Sequence, residues 1–112
     1  MEHVILGSKK DMGKDLLQQG YSFHNGFIYI EYSDNYVYLI KIKKEVLNKA
    51  YLKSEIKQFK DCKYFIMIRY YSMVDLIRTL ALFKDSDIVM DDDYGHFQKL
   101  NDFMIKTTGK SI

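Results

Sequence analysis

Phe27-Ile28-Tyr29-Ile30-Glu31-Tyr32 and Val37-Tyr38-Leu39-Ile40-Lys41-Ile42 stand on either side of Ser33-Asp34-Asn35-Tyr36. Both flanks are β-branched and aromatic and the link is polar, so residues 27–43 read as a β-hairpin. With Asp34-Asn35 as a two-residue tip, Tyr32 faces Val37, Ile30 faces Leu39 and Ile28 faces Lys41. The other face then sets Phe27, Tyr29 and Glu31 against Ile42, Ile40 and Tyr38. Both faces are largely apolar, and both therefore need cover from helices or a second sheet.

On the N-terminal side, His3-Val4-Ile5-Leu6 reads as a short strand ending at Gly7. Ser8 is placed to cap a helix carrying Met12, Leu16 and Leu17, which Gly20 closes as a left-handed C′ residue. Asn25-Gly26 marks a tight turn into the hairpin.

On the C-terminal side, residues 44–60 have a double-faced helical pattern. Val46, Leu47, Ala50 and Tyr51 lie on one side of the wheel, and Leu52, Ile56 and Phe59 on nearly the opposite one. The helix either breaks near Lys53-Ser54 or is wedged between two surfaces. Lys63-Tyr64-Phe65-Ile66-Met67-Ile68-Arg69-Tyr70 reads as a central strand covered on both faces. Ser72 and Asp75 form a capping-box-like start to a helix from Met73 to Phe83, apolar over most of its circumference and expected to be the most buried. Asp87-Ile88-Val89-Met90 reads as a strand. Asp91-Asp92-Asp93 then precedes a last helix with Phe97, Leu100, Phe103 and Met104 inward, and residues 107–112 form a frayed tail.

The order is β-α-β-β-α-β-α-β-α, an α/β (α+β) chain forming one globular domain over residues 1–112. Its first six elements match the ferredoxin-like βαββαβ order, with an αβα extension. A mixed sheet built around the 27–43 hairpin is expected.

Composition narrows the class. The 112 residues are 47 % hydrophobic and 29 % charged, which suits a small soluble domain. No apolar run approaches the roughly 18–20 residues of a membrane span, and the opening Met1-Glu2-His3-Val4 lacks a signal-peptide pattern, so a cytoplasmic location is expected. Cys62 is the single cysteine, in keeping with a reducing compartment. There are 10 Tyr but no Trp or Pro, and Lys greatly outnumbers Arg. The net charge of +2 hides two poles. Lysines concentrate in residues 41–63 and aspartates in residues 85–93.

Several chemistries are weighed against these residues. Gly7 to Asp15 departs from a P-loop in glycine spacing and puts Asp15 where a magnesium hydroxyl belongs. A nuclease-like carboxylate cluster on the hairpin lacks its second carboxylate, with Leu39 where it would stand. Asp91, Asp92 and Asp93 after a strand could hold Mg²⁺ for phosphoryl transfer or hydrolysis, or could cap and complement the last helix. His3, His24, His96 and Cys62 show no ligand spacing. Lys49, Lys53, Lys57 and Lys60 form a stripe able to follow a phosphate backbone, yet arginine for base reading is scarce.

No catalytic set and no cofactor motif emerges. The expected function is a small protein-binding module acting stoichiometrically, such as an inhibitor, adaptor, or immunity or anti-defence factor of a mobile element. Asp91, Asp92, Asp93 and Tyr94 are its expected contact residues. Nucleic-acid binding through the lysine stripe is the first alternative, and magnesium-dependent chemistry at Asp91–Asp93 the second.

Overall fold

The computed structural model describes residues 1–51, 53–93 and 95–110. Six strands, β1 (Glu2–Ser8), β2 (Phe27–Glu31), β3 (Tyr36–Ile42), β4 (Tyr64–Tyr70), β5 (Val89–Asp91) and β6 (Phe97–Lys99), form one sheet in the order β2-β3-β4-β1-β5-β6. Five helices accompany it: α1 (Gly13–Gln18), α2 (Lys44–Ala50), α3 (Lys53–Ile56), α4 (Met73–Leu80) and α5 (Leu100–Thr108). A 3-10 turn at Lys57–Phe59 follows α3.

Every pairing is antiparallel, so the expected mixed sheet is corrected. A parallel pair needs a crossover that returns the chain beside its starting strand. The six-residue α1 makes no such return, because β2 pairs with β3 at the far edge and runs opposite to β1. The ferredoxin-like start is therefore not reproduced in pairing. Among the described residues β4-α4-β5 forms a split β-α-β unit, two like-directed strands with β1 between them.

The hairpin forms with its register moved by two residues. Ile30 faces Val37 and Tyr29 faces Tyr38, and the Tyr32 N–H donates to the Asn35 carbonyl at 2.9 Å, so the tip is Ser33-Asp34. An even shift keeps every side chain on its expected face. The turn at Asn25-Gly26 has positive φ at both positions (54° and 82°), as a tight primed turn requires.

Helices α1, α4 and α5 press Leu16, Leu76, Leu80, Leu100 and Met104 onto one face of the sheet, against Leu6, Leu39 and Ile68. On the other face Leu47 of α2 and Phe59 cover Ile5, Phe65 and Cys62. Phe59 can lie this close because β1 carries Gly7, which is a buried strand position rather than a strand end. A Cβ there would stand 2.6 Å from the Phe59 ring.

Other local expectations are redrawn. Ser8 belongs to β1 and caps nothing; Asp11 instead accepts the Gly13 N–H at 2.9 Å. Ser72 does cap α4, accepting the Asp75 N–H at 3.3 Å. That helix is less enclosed than its composition suggested, because Met73 and Val74 are exposed. Phe97 lies in β6 rather than in the last helix, which begins at Leu100. Thr107 and Thr108 close α5, with Gly109 in the left-handed C-cap; the last two residues of the expected frayed tail, 111–112, lie outside the described residues. Among the described residues no helix is long and apolar enough to cross a membrane.

Candidate functional site

Alternation along a strand puts every second side chain on one face, and the register then aligns those side chains into rows across the sheet. On the face covered by α2 and Phe59, one row runs Ile42, Phe65, Gly7, Val89, Lys99. The next runs Phe27, Ile40, Met67, Ile5, Asp91, Phe97. A third runs Tyr29, Tyr38, Arg69, His3, and His3 Nε2 meets Asp93 Oδ1 at 3.0 Å. The helices cover the first row and the β1-side half of the second. The third row, with Phe27 and Tyr36, stays open.

At the hairpin end of this open face the aromatics pack on one another. Tyr29 lies 4.9 Å from Tyr36 and 5.3 Å from Tyr38, centroid to centroid. Phe27 and Tyr29 are each 50 % exposed and Tyr36 is 41 % exposed, so these aromatic rings are open to solvent on one face. Loss of hydration, with the Tyr36 hydrogen bond and charge adding, pushes the Tyr29 phenol up to about 12.

At the other end, where α2 meets the sheet, lies a cavity of about 390 Å³. Ile42, Val46, Ala50 and Met67 supply apolar walls, while Glu55, Asp91 and Asp93 bring carboxylates to it. Asp91 is buried and accepts hydrogen bonds from the Tyr51 hydroxyl and, at 3.1 Å, from the Asp93 N–H. Burial holds its carboxyl above the ordinary range, and the charges of Asp92 and Asp93 push the same way, while those two hydrogen bonds oppose the shift. The Tyr51 phenol is raised as well, by burial first and by the bond to Asp91.

The side chains of the three aspartates have different partners. Asp91 turns inward to Tyr51, Asp92 bonds the His96 ring at 3.0 Å, and Asp93 reaches His3. They end β5 and open the loop to β6, in which Asp93 takes φ 70° and Gly95 φ 80°. The expected acidic cap of the last helix is corrected: its N-cap is Lys99, without a side-chain hydrogen bond. Among the described residues no group of His, Cys, Asp or Glu is arranged to hold a metal ion. Tyr94, the fourth expected contact residue, lies outside the described residues, as does Leu52.

The lysine stripe is divided. Tyr51 is extended (φ −103°, ψ 148°) and ends α2, so Lys49 belongs to one helix, Lys53 to the next, and Lys57 and Lys60 to the 3-10 turn and its end. All four are exposed, but they do not lie on one helical face. Cys62 is buried, and burial raises its thiol, which argues against a nucleophilic role.

Sequence reasoning did not single out the open row or the cavity. The alternation of Phe27, Tyr29 and Glu31 was visible, but which face the helices would leave bare was not. No protein-family model matches the chain, and comparison with curated proteins and with solved structures returns no match either.

Proposed function

We propose that this protein is a non-catalytic protein-binding module that acts stoichiometrically, as an inhibitor, adaptor or immunity-type factor does, and that it docks through the open face of its sheet. One observation carries the reading: exposed, mutually packed Phe27, Tyr29 and Tyr36 on a rigid antiparallel sheet. Tyrosine gives a large contact area at small entropic cost and is enriched in interfaces. A solvent-facing patch of this kind on a small domain is the usual mark of a binding surface.

Charge narrows the partner. The cavity at the other end of the open face offers apolar walls with Glu55, Asp91 and Asp93 around them. Such walls suit the methylene stem of a lysine or arginine, with its cationic head near the carboxylates. The occupant is thus a partner protein presenting an apolar surface flanked by a protruding basic side chain. Asp91 and Asp93 keep their expected role as contacts on this reading. Asp92, which faces His96, does not take part.

The test is affinity capture from the producing cell with and without nuclease, followed by binding of the identified partner to purified variants. A nuclease-resistant partner that loses at least tenfold in affinity with Tyr29→Ala or Tyr36→Ala, but not with a Lys49/Lys53/Lys57→Ser triple, supports the reading. A partner indifferent to both tyrosines, or one lost on nuclease treatment, overturns it.

A further inference from the structure

The end of the sheet away from Arg69 carries a second, differently built surface. Lys9, Lys10, Lys14 and Lys84 line an open cleft of about 770 Å³ where the loop after β1 meets the loop after α4. Lys41, Lys43, Lys44 and Lys63 line an adjoining one of about 730 Å³ between the ends of β3 and β4. Asp11, Met12 and Tyr64 belong to both, so the two clefts form one track. Tyr64 is 42 % exposed at their junction.

Eight lysines face four carboxylates along this track. Three of the four also accept local hydrogen bonds from neutral donors but keep their charge, so the excess is of eight cations over four anions. Asp11 accepts the Gly13 N–H, Asp15 accepts the Lys84 N–H at 3.0 Å, and Asp85 bonds Ser8 and the Asp87 N–H. Among the described residues none of the eight lysines is held in an ion pair. The sequence-level lysine stripe pointed to other residues, on the helices.

We infer that this track binds single-stranded nucleic acid, its phosphates on the two lysine groups and an unstacked base on Tyr64. Lysine ammonium groups are point charges that hold phosphates without reading bases, and no arginine lines either cleft. A lysine-lined surface does not suit a protein partner, because lysine is depleted in interface cores. A duplex is rigid, whereas a single strand can bend into a concave track and stack on an exposed ring. Tyr64 and Arg69 lie at opposite ends of β4, roughly 17 Å apart at strand rise; Ile42 lines both this track and the docking cavity, so the two surfaces adjoin there and are told apart by their lysine and tyrosine variants.

The experiment is fluorescence anisotropy of the whole chain with labelled oligothymidylate and oligouridylate of about 12 nucleotides, within the range one small domain covers, titrated from about 50 to 200 mM salt. Each phosphate contact adds about 0.7 to the slope of log affinity against log salt, so a Lys43/Lys44/Lys63→Ser triple should flatten it by about 2. Tyr64→Ala should weaken binding roughly 5-fold or more, and Tyr64→Phe should leave it unchanged. The Lys49/Lys53/Lys57→Ser triple should bind as wild type. All the substituted side chains are exposed, and Lys→Gln versions replace any Ser variant whose thermal unfolding departs from wild type. No binding at the lowest salt overturns the proposal. So does equal affinity for a duplex, or equal losses from the two lysine triples. Competition by inorganic polyphosphate together with an inert Tyr64→Ala would mark a general polyanion surface and overturn it as well.

Discussion

The Tyr51 hydroxyl donates to the carboxylate of Asp91, joining the residue that ends α2 to the last residue of β5 beneath the helical cover. Forty positions of sequence separate them. Tyr51→Phe would leave a buried carboxylate short of a donor, at a cost of about 1–3 kcal/mol in denaturant unfolding. The same change should raise the Asp91 carboxyl further, since the Tyr51 bond pulls it down.

The raised Asp91 also sets a pH dependence. Its native form holds a proton more tightly than the unfolded chain does, so its contribution is most favourable below the ordinary carboxylate range. That contribution declines as pH rises through the window between the ordinary value and the raised folded one, then levels off. Asp91→Asn removes this decline. Urea titrations across the acid range should show the variant gaining on wild type as pH rises, and parallel curves would refute the assignment.

Gly7 and Phe59 test the packing of the covered face. Gly7→Ala puts a methyl within 2.6 Å of the ring, which must shift. Overpacking of this kind costs about 1–3 kcal/mol. Phe59→Leu should recover part of the loss in the double variant, so the two changes combine non-additively. Strict additivity would mean that the ring does not press on β1.

Leu80 and Val74 test the orientation of α4. Leu80 is fully buried, and Leu80→Ala should cost about 2–5 kcal/mol. Val74 is 60 % exposed on the same helix, and Val74→Ala should change stability by less than about 0.5 kcal/mol. Similar losses at both positions would place the helix differently on the sheet.

Tyr29 offers a spectroscopic check on the open face. Its phenol is pushed up to about 12, by loss of hydration and then by Tyr36. Burial also raises Tyr32 and Tyr51, so Tyr29 is read as a difference. High-pH titration followed by tyrosinate absorbance should show one late group fewer in Tyr29→Phe and one late group moved down in Tyr36→Phe. A Tyr36→Phe curve with every late group unmoved would mean that Tyr36 is not the partner of Tyr29.

Local chemistry was legible from residue order. The hairpin at 27–43, the Ser72 cap, the left-handed Gly20 and the Asn25-Gly26 turn all follow from backbone preferences acting over a few residues. The two-residue change of register was invisible on those terms, because either tip leaves the same side chains on the same faces. The three-residue β6 was missed for a related reason. Phe97-Gln98-Lys99 is too short to show a period, and it becomes a strand by pairing with β5.

Sequence alone determined which side chains share a face, that residues 27–43 fold back on themselves and that Asn25-Gly26 turns tightly. Tertiary structure decided that β4 lies between β3 and β1, and that Phe59 packs over Gly7. It also decided that the helical cover stops short of Tyr29 and Tyr36. These are long-range choices, made by burying apolar area among segments dozens of residues apart, and no local preference encodes them. Where cover runs out, an alternating strand leaves its second face bare, and that bare face is the surface proposed here for the partner.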